Sequence, residues 1–297
     1  MLSLKLTLQR RRQWLLIVPS FITTSVLTAI PTNAATLAFS EAEIELNNFS
    51  NSGTIELVNQ ANISGETNGG IFGAQNNASN NYTQSPLEIN SSAFSLARGE
   101  NRDYEGTAET QARVLGNFDV DAGKLFSFDF SANLNLRTEI DDPSSEKANA
   151  RSDISFYLFD TANIPQANIQ DYLKYQPLDY FTLNANLNTF GLQDFLNYQR
   201  SQSISFTTEN KQTMFGANQE TASAIIQGKL RRSFINKTNL TLIALRQTQS
   251  QVKVPEHSML VPLIFLALTR FPTSLRSRES KNLNSKNNIF QYNHHSD

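Results

Sequence analysis

Carboxylates are the only side chains in this sequence whose types and spacing point to catalysis. Glu41, Glu43 and Glu45 alternate along one short stretch, and Asp119 and Asp121 do the same. Alternate residues of a strand share a face, so each set places carboxyl groups side by side. A glycoside hydrolase needs two such groups about 5 to 10 Å apart across a cleft. Asp141, Asp142 and Glu146 make a third acidic cluster, of the oxygen-donor type that calcium takes. Plainer readings compete with each. Glu41 to Glu45 suit an exposed first strand, and Asp119-Val120-Asp121 begins like a calcium loop but continues with Gly123 and Lys124, which suits a turn. The third cluster reads as solvated acid. The expectation is therefore no catalytic residue, no metal and no cofactor.

Other chemistry is removed by what the chain lacks. It has no cysteine, which excludes a disulfide framework, a thiolate zinc site and a cysteine nucleophile. Its three histidines, His257, His294 and His295, all lie beyond the segment expected to fold. A Ser-His-Asp triad in the main domain is thereby excluded. The single tryptophan, Trp14, sits near the start, so any aromatic platform for a sugar falls to Tyr and Phe.

Charge is segregated along the chain. Four positive and no negative residues precede Glu41, six positive and three negative follow from Gln251 onward, and the middle holds 15 positive against 24 negative. Nucleic-acid binding works by neutralising phosphates with Lys and Arg, so an acidic middle argues against a nucleic-acid partner.

The middle must then supply the scaffold. Phe126, Phe128, Phe130, Ala132, Leu134 and Leu136 alternate with Ser127, Asp129, Ser131, Asn133 and Asn135, the period of a half-buried strand. The same period runs through Ile154, Phe156 and Leu158; Phe181, Leu183, Ala185 and Leu187; Ile204 and Phe206; Ala224 and Ile226; and Leu240, Leu242 and Ala244. Shorter strands are expected at 55–58, 93–96 and 112–120. Eight to ten strands with little helical periodicity predict an all-β fold, an antiparallel β-sandwich of jelly-roll-like character, over residues 35–251. Gly123 is expected to supply the positive φ of a tight hairpin connection, and Pro143 marks the next turn. Residues 68–85, rich in Gly, Asn and Ser, read as a surface loop, and 164–175 as the one candidate helix of this domain.

Both ends carry apolar segments. Residues 1–34 have a basic start at Arg10, Arg11 and Arg12, an apolar stretch over 14–30 and a small-residue close at Thr32-Asn33-Ala34. These are the parts of a secretory signal, predicting cleavage by signal peptidase between Ala34 and Ala35. The second apolar run, 259–268, follows Val254-Pro255-Glu256-His257-Ser258 and precedes Arg270, Arg276 and Arg278. It predicts a short hydrophobic helix.

A Pro-Glu pair, a hydrophobic segment and an arginine cluster in this order resemble the PEP-CTERM sorting signal of exported bacterial surface proteins. The resemblance covers roughly residues 254–278 and carries over only Pro255 and Glu256 as sorting residues, because His257 stands where that family has its second proline. It also departs in length: ten uninterrupted apolar residues, with Pro262 among them, are about half of what a spanning helix needs. The signal is thus a degenerate one, over 252–278, followed by a polar tail, 279–297, expected to be disordered. The body is similar to secreted cyanobacterial proteins of that family through 119–130, 153–160 and 215–220. The resemblance implies a secreted or cell-envelope location, an exosortase as a second processing partner, and a non-enzymatic protein of the extracellular matrix beside exopolysaccharide. A secreted carbohydrate-binding module and a carboxylate-dependent glycoside hydrolase remain as alternatives.

Overall fold

The computed structural model describes residues 36–101, 103–162, 172–189, 193–216 and 218–254. Ala34, Ala35, Pro255, Glu256, the second apolar run and the polar tail lie outside the described residues, as does most of the helix expected over 164–175. Residues 172–175 of that stretch close a turn in which the Tyr175 N–H donates to the Tyr172 carbonyl at 2.9 Å.

The described residues form an antiparallel β-sandwich of two six-stranded sheets. The strands in order are β1 (Thr36–Asn47), β2 (Gly53–Thr67), β3 (Ile71–Gln84), β4 (Leu87–Glu100), β5 (Tyr104–Val120), β6 (Leu125–Ile140), β7 (Lys147–Asp160), β8 (Asp179–Asn188), β9 (Phe195–Arg200), β10 (Ile204–Met214), β11 (Gln219–Ser233) and β12 (Thr238–Val254). One sheet runs β10-β11-β6-β1-β4-β3 and the other β2-β5-β12-β7-β8-β9. The first and last strands are therefore interior strands of opposite sheets.

Seven of the eleven connections change sheet. The turn holding Gly123 is one of them: φ at Gly123 is 74°, and Lys124 N–H closes on the Asp121 carbonyl at 3.1 Å. It joins β5 to β6 across the sandwich, so it is a tight turn but no hairpin. The turn at Pro143 likewise passes from β6 to β7 in the facing sheet.

Residues 68–85 are not a surface loop. Ile71 to Gln84 form β3, in continuous register with β4 from Ile71 opposite Glu100 to Gln84 opposite Leu87. Asn is a turn former by its local hydrogen bonding, which is why the composition misleads. Here that capacity is used across the sandwich. The Asn76 amide donates to the Asn62 and Glu109 carbonyls (2.8 and 3.1 Å), and that of Asn80 to Val58 and Arg113 (3.3 and 3.1 Å). An edge strand whose backbone groups would otherwise invite foreign pairing is in this way stitched to β2 and β5.

The core has two textures. Toward one end lies an aromatic stack: Phe126, Phe128 and Phe130 on β6, Phe156 on β7, Phe181 on β8 and Phe118 on β5, with successive ring centroids 4.9–5.3 Å apart at the closest pairs. Toward the other end, small residues take over: Ala38, Ser40 and Ala42 on β1, Ala93 and Ser95 on β4, Ala150 and Ser152 on β7. Hydroxyls there reach backbone carbonyls of the facing sheet directly, Ser40 to Arg151 at 2.5 Å, Thr110 to Phe94 at 2.7 Å and Ser250 to Ser95 at 2.9 Å. A single short side chain spanning the gap brings the sheets closer than the usual spacing of about 10 Å.

Candidate functional site

The acids nominated for chemistry fall at three places. Glu41, Glu43 and Glu45 project from the outer face of β1. That strand is hydrogen-bonded on both sides, to β4 and β6, so it is not the exposed first strand expected. Because its flanks are occupied, Glu41 stands between Phe94 on β4 and Asn135 on β6, with Phe39 two residues back on the same face and edge-on to Phe94 at 5.6 Å. This half-buried setting, with help from neighbouring Glu43, pushes the Glu41 carboxyl up to about 7. Asn133 donates to Glu43 at 3.3 Å and Asn47 to Glu45 at 2.7 Å. The three carboxyls form a ladder along one strand, bordered by carboxamides, rather than a pair facing across a cleft.

Asp119 and Asp121 are exposed at the end of β5, where the Asp121 carbonyl closes the turn. The third cluster is not solvated throughout. Glu146 is buried and accepts from the backbone N–H groups of Asp141 and Asp142 at 2.7 and 3.1 Å, and burial pushes its carboxyl up. Asp142 in turn accepts from Ser144 and Ser145. These acids build a turn. Among the described residues no group of three or more His, Cys, Asp or Glu is placed to hold a metal ion.

A site the alternation did not reveal lies on the outer face of the β12 sheet. Adjacent rows run Gln251, Asn149, Asn188 and Gln249, Arg151, Asn186 across β12, β7 and β8. With Gln193, Lys147 and Lys253 they line an open trough of about 450 Å³. Its cations are partnered at its rim: Lys253 with Glu105, and Arg151 with Asp153 at 3.0 Å. Further along the same face Tyr157 pairs with Tyr180, each half-buried. The trough is a surface of carboxamides with cationic edges. Carboxamides recurring at outward positions of 149–151, 184–188 and 247–251 were its sequence signal, but which strands lie side by side is set only by pairing.

At the end of the sandwich where β1 begins, Thr36, Tyr104 and Val254 meet. Tyr104 is the register partner of Val254, and its phenol is hydrogen-bonded to the Thr36 hydroxyl. Burial pushes that phenol up to about 12, so it stays neutral. Ala38, Ala97, Ile140, Ala148 and Val252 lie in the same small apolar cluster, with Phe72 packed against it. Comparison with protein-family models, curated proteins and solved structures finds no match to this chain.

Proposed function

We propose that this chain is an exported, non-enzymatic β-sandwich of the bacterial cell surface or extracellular matrix. A signal peptidase removes residues 1–34, and an exosortase reads the PEP-CTERM-like segment at Pro255 and Glu256. The observation that carries this reading is where the first and last strands of the described residues lie. β1 begins at Thr36, two residues after Ala34, and β12 ends at Val254, the residue before Pro255. Cleavage at both points leaves every strand of the described residues whole. Chain entry and exit also share one end of the sandwich, which suits a domain whose two apolar extensions are handled at one membrane.

Mass spectrometry of the protein from cell, envelope and medium fractions tests this. Export predicts a mature N-terminus at Ala35 in the envelope or medium, with a C-terminus truncated near Glu256 where the sorting segment is processed. Recovery of only full-length chain beginning at Met1 in the cytoplasm overturns it.

The trough favours a second reading, a secreted carbohydrate-binding module whose ligand is an exopolysaccharide. Carboxamides pair with vicinal hydroxyls through one donor and one acceptor each, and six of them line this one depression. A glycan array on the secreted protein, repeated with the Asn149→Ala/Asn186→Ala/Gln251→Ala variant, separates the readings. Retention by a polysaccharide that the variant loses supports the module; no retention by any glycan removes it.

A further inference from the structure

The two margins of the sandwich are built differently. At one, β2 and β3 lie side by side, fastened by the Asn76 and Asn80 amides. At the other lie β9, of six residues, and β10, of eleven. From Thr207 to Met214 every residue of β10 is exposed, on both faces of the strand. Among the described residues β10 pairs with β11 alone, so its outer row of N–H and C=O groups has no strand beside it. Such a row is a template for another chain.

The side chains along this row restrict what can pair there. Glu209 stands opposite the buried Ile226 of β11 and Lys211 opposite the buried Ala224, so both point to the inner face. They form an ion pair at 2.9 Å. Tyr198 of β9 supports both: its hydroxyl donates to Glu209 at 3.0 Å, and the Lys211 ammonium lies 4.5 Å from its ring centre. The hydrogen bond from Lys211 holds the Glu209 carboxyl below the usual carboxylate range, so both groups are charged at neutral pH. A strand of arbitrary sequence laid along this edge meets two charges without supplying their complements, which selects against it.

We propose that the partner of this edge is β10 of a second copy of the chain, paired antiparallel about a two-fold axis at Asn210. Two identical antiparallel strands keep like faces together only when the axis passes through a residue. An axis at Glu209 or at Lys211 sets that residue against its own copy, and like charges directly opposite destabilise a sheet. An axis at Thr208 or Gln212 leaves both charges without a counter-charge across the strands. With the axis at Asn210, Glu209 of each copy faces Lys211 of the other, and Thr208 faces Gln212. Four charges then alternate in sign along one face, the self-complementary pattern that an isologous contact requires. The β-bulge between Phe206 and Thr208 bounds the paired stretch at one end.

The chain has no cysteine, so a single introduced one reports the axis. In the full chain, Asn210→Cys sets its Cα atom about 4.5–5.5 Å from that of its copy, within disulfide reach. Thr213→Cys, on the same exposed strand, stands about 20 Å from its copy and is the control. Mild oxidation should link Asn210→Cys into a dimer and leave Thr213→Cys monomeric. Equal cross-linking at the two positions, or none at either, overturns the proposal. Sedimentation supplies a second reading. Glu209→Lys and Lys211→Glu should each weaken self-association by about tenfold, because each sets like charges opposite twice per dimer. Combining the two reversals should restore it. A parent chain that sediments as a monomer, or self-association that neither reversal weakens, overturns the proposal.

Discussion

The hydroxyl of Thr36 is hydrogen-bonded to the phenol of Tyr104, 68 residues away, and both groups are buried. Tyr104 also pairs with Val254, so one ring ties the first strand to the last. Space for it comes from Gly99, where a Cβ would lie 2.0 Å from the ring.

Tyr104→Phe keeps the ring and removes its hydroxyl. It is expected to lower unfolding free energy by about 1 kcal/mol, the usual net worth of a buried hydrogen bond, measured by urea denaturation. Gly99→Ala should cost more, because the ring has to move.

Glu41 should make stability fall as pH rises from about 4.5 to about 7. Its carboxyl, pushed from 4.5 up to about 7 by burial, is protonated in the form the fold prefers. The stabilisation is complete below the unfolded value and is lost as pH rises through 7. Glu41→Gln should unfold like the parent chain near pH 4 but resist denaturant better near pH 8, by about 1–2 kcal/mol after discounting for partial exposure. Coincident pH profiles for the two proteins would refute this account of Glu41.

The Phe72 ring lies over Gly65 and Gly106, where an added Cβ would come within 2.3 and 1.8 Å of it. Gly106→Ala is expected to displace Phe72 and destabilise by about 1–3 kcal/mol, the range for overpacking. Combining it with Phe72→Ala should cost less than the sum of the two single changes, read as a double-mutant cycle.

Phe128 is fully buried and packs on Phe49, Phe126 and Phe156. Phe128→Ala leaves a cavity no neighbour can fill and should lower stability by about 3–5 kcal/mol. Ser40→Ala, at the small-residue end, loses one hydrogen bond and little volume, so about 1 kcal/mol is expected. Parallel denaturant titrations of the two variants compare the two textures of the core.

Much of the fold was legible before any coordinates, because alternation is a local property. Phe126 to Leu136 could be only a strand with one buried face, and so could Phe181 to Leu187. Legibility stopped where inward positions turn polar. β12 read as a strand through Ala244, yet its inward face continues through Arg246, Thr248 and Ser250 to Val252. β3 was hidden for the same reason, its Asn76 and Asn80 having the look of a turn while acting as donors between the sheets.

Pairing is non-local, and it decided what alternation left open. The turns at Gly123 and Pro143 were readable as turns, but nothing within either says that the chain crosses to the facing sheet there. Glu41 had a composition suited to an exposed strand, and became half-buried because β4 and β6, some 50 and 95 residues on, close over both of its flanks. The trough is likewise a product of strands distant in sequence. Residue types dictated which faces could be buried; only the register between strands determined which side chains would meet.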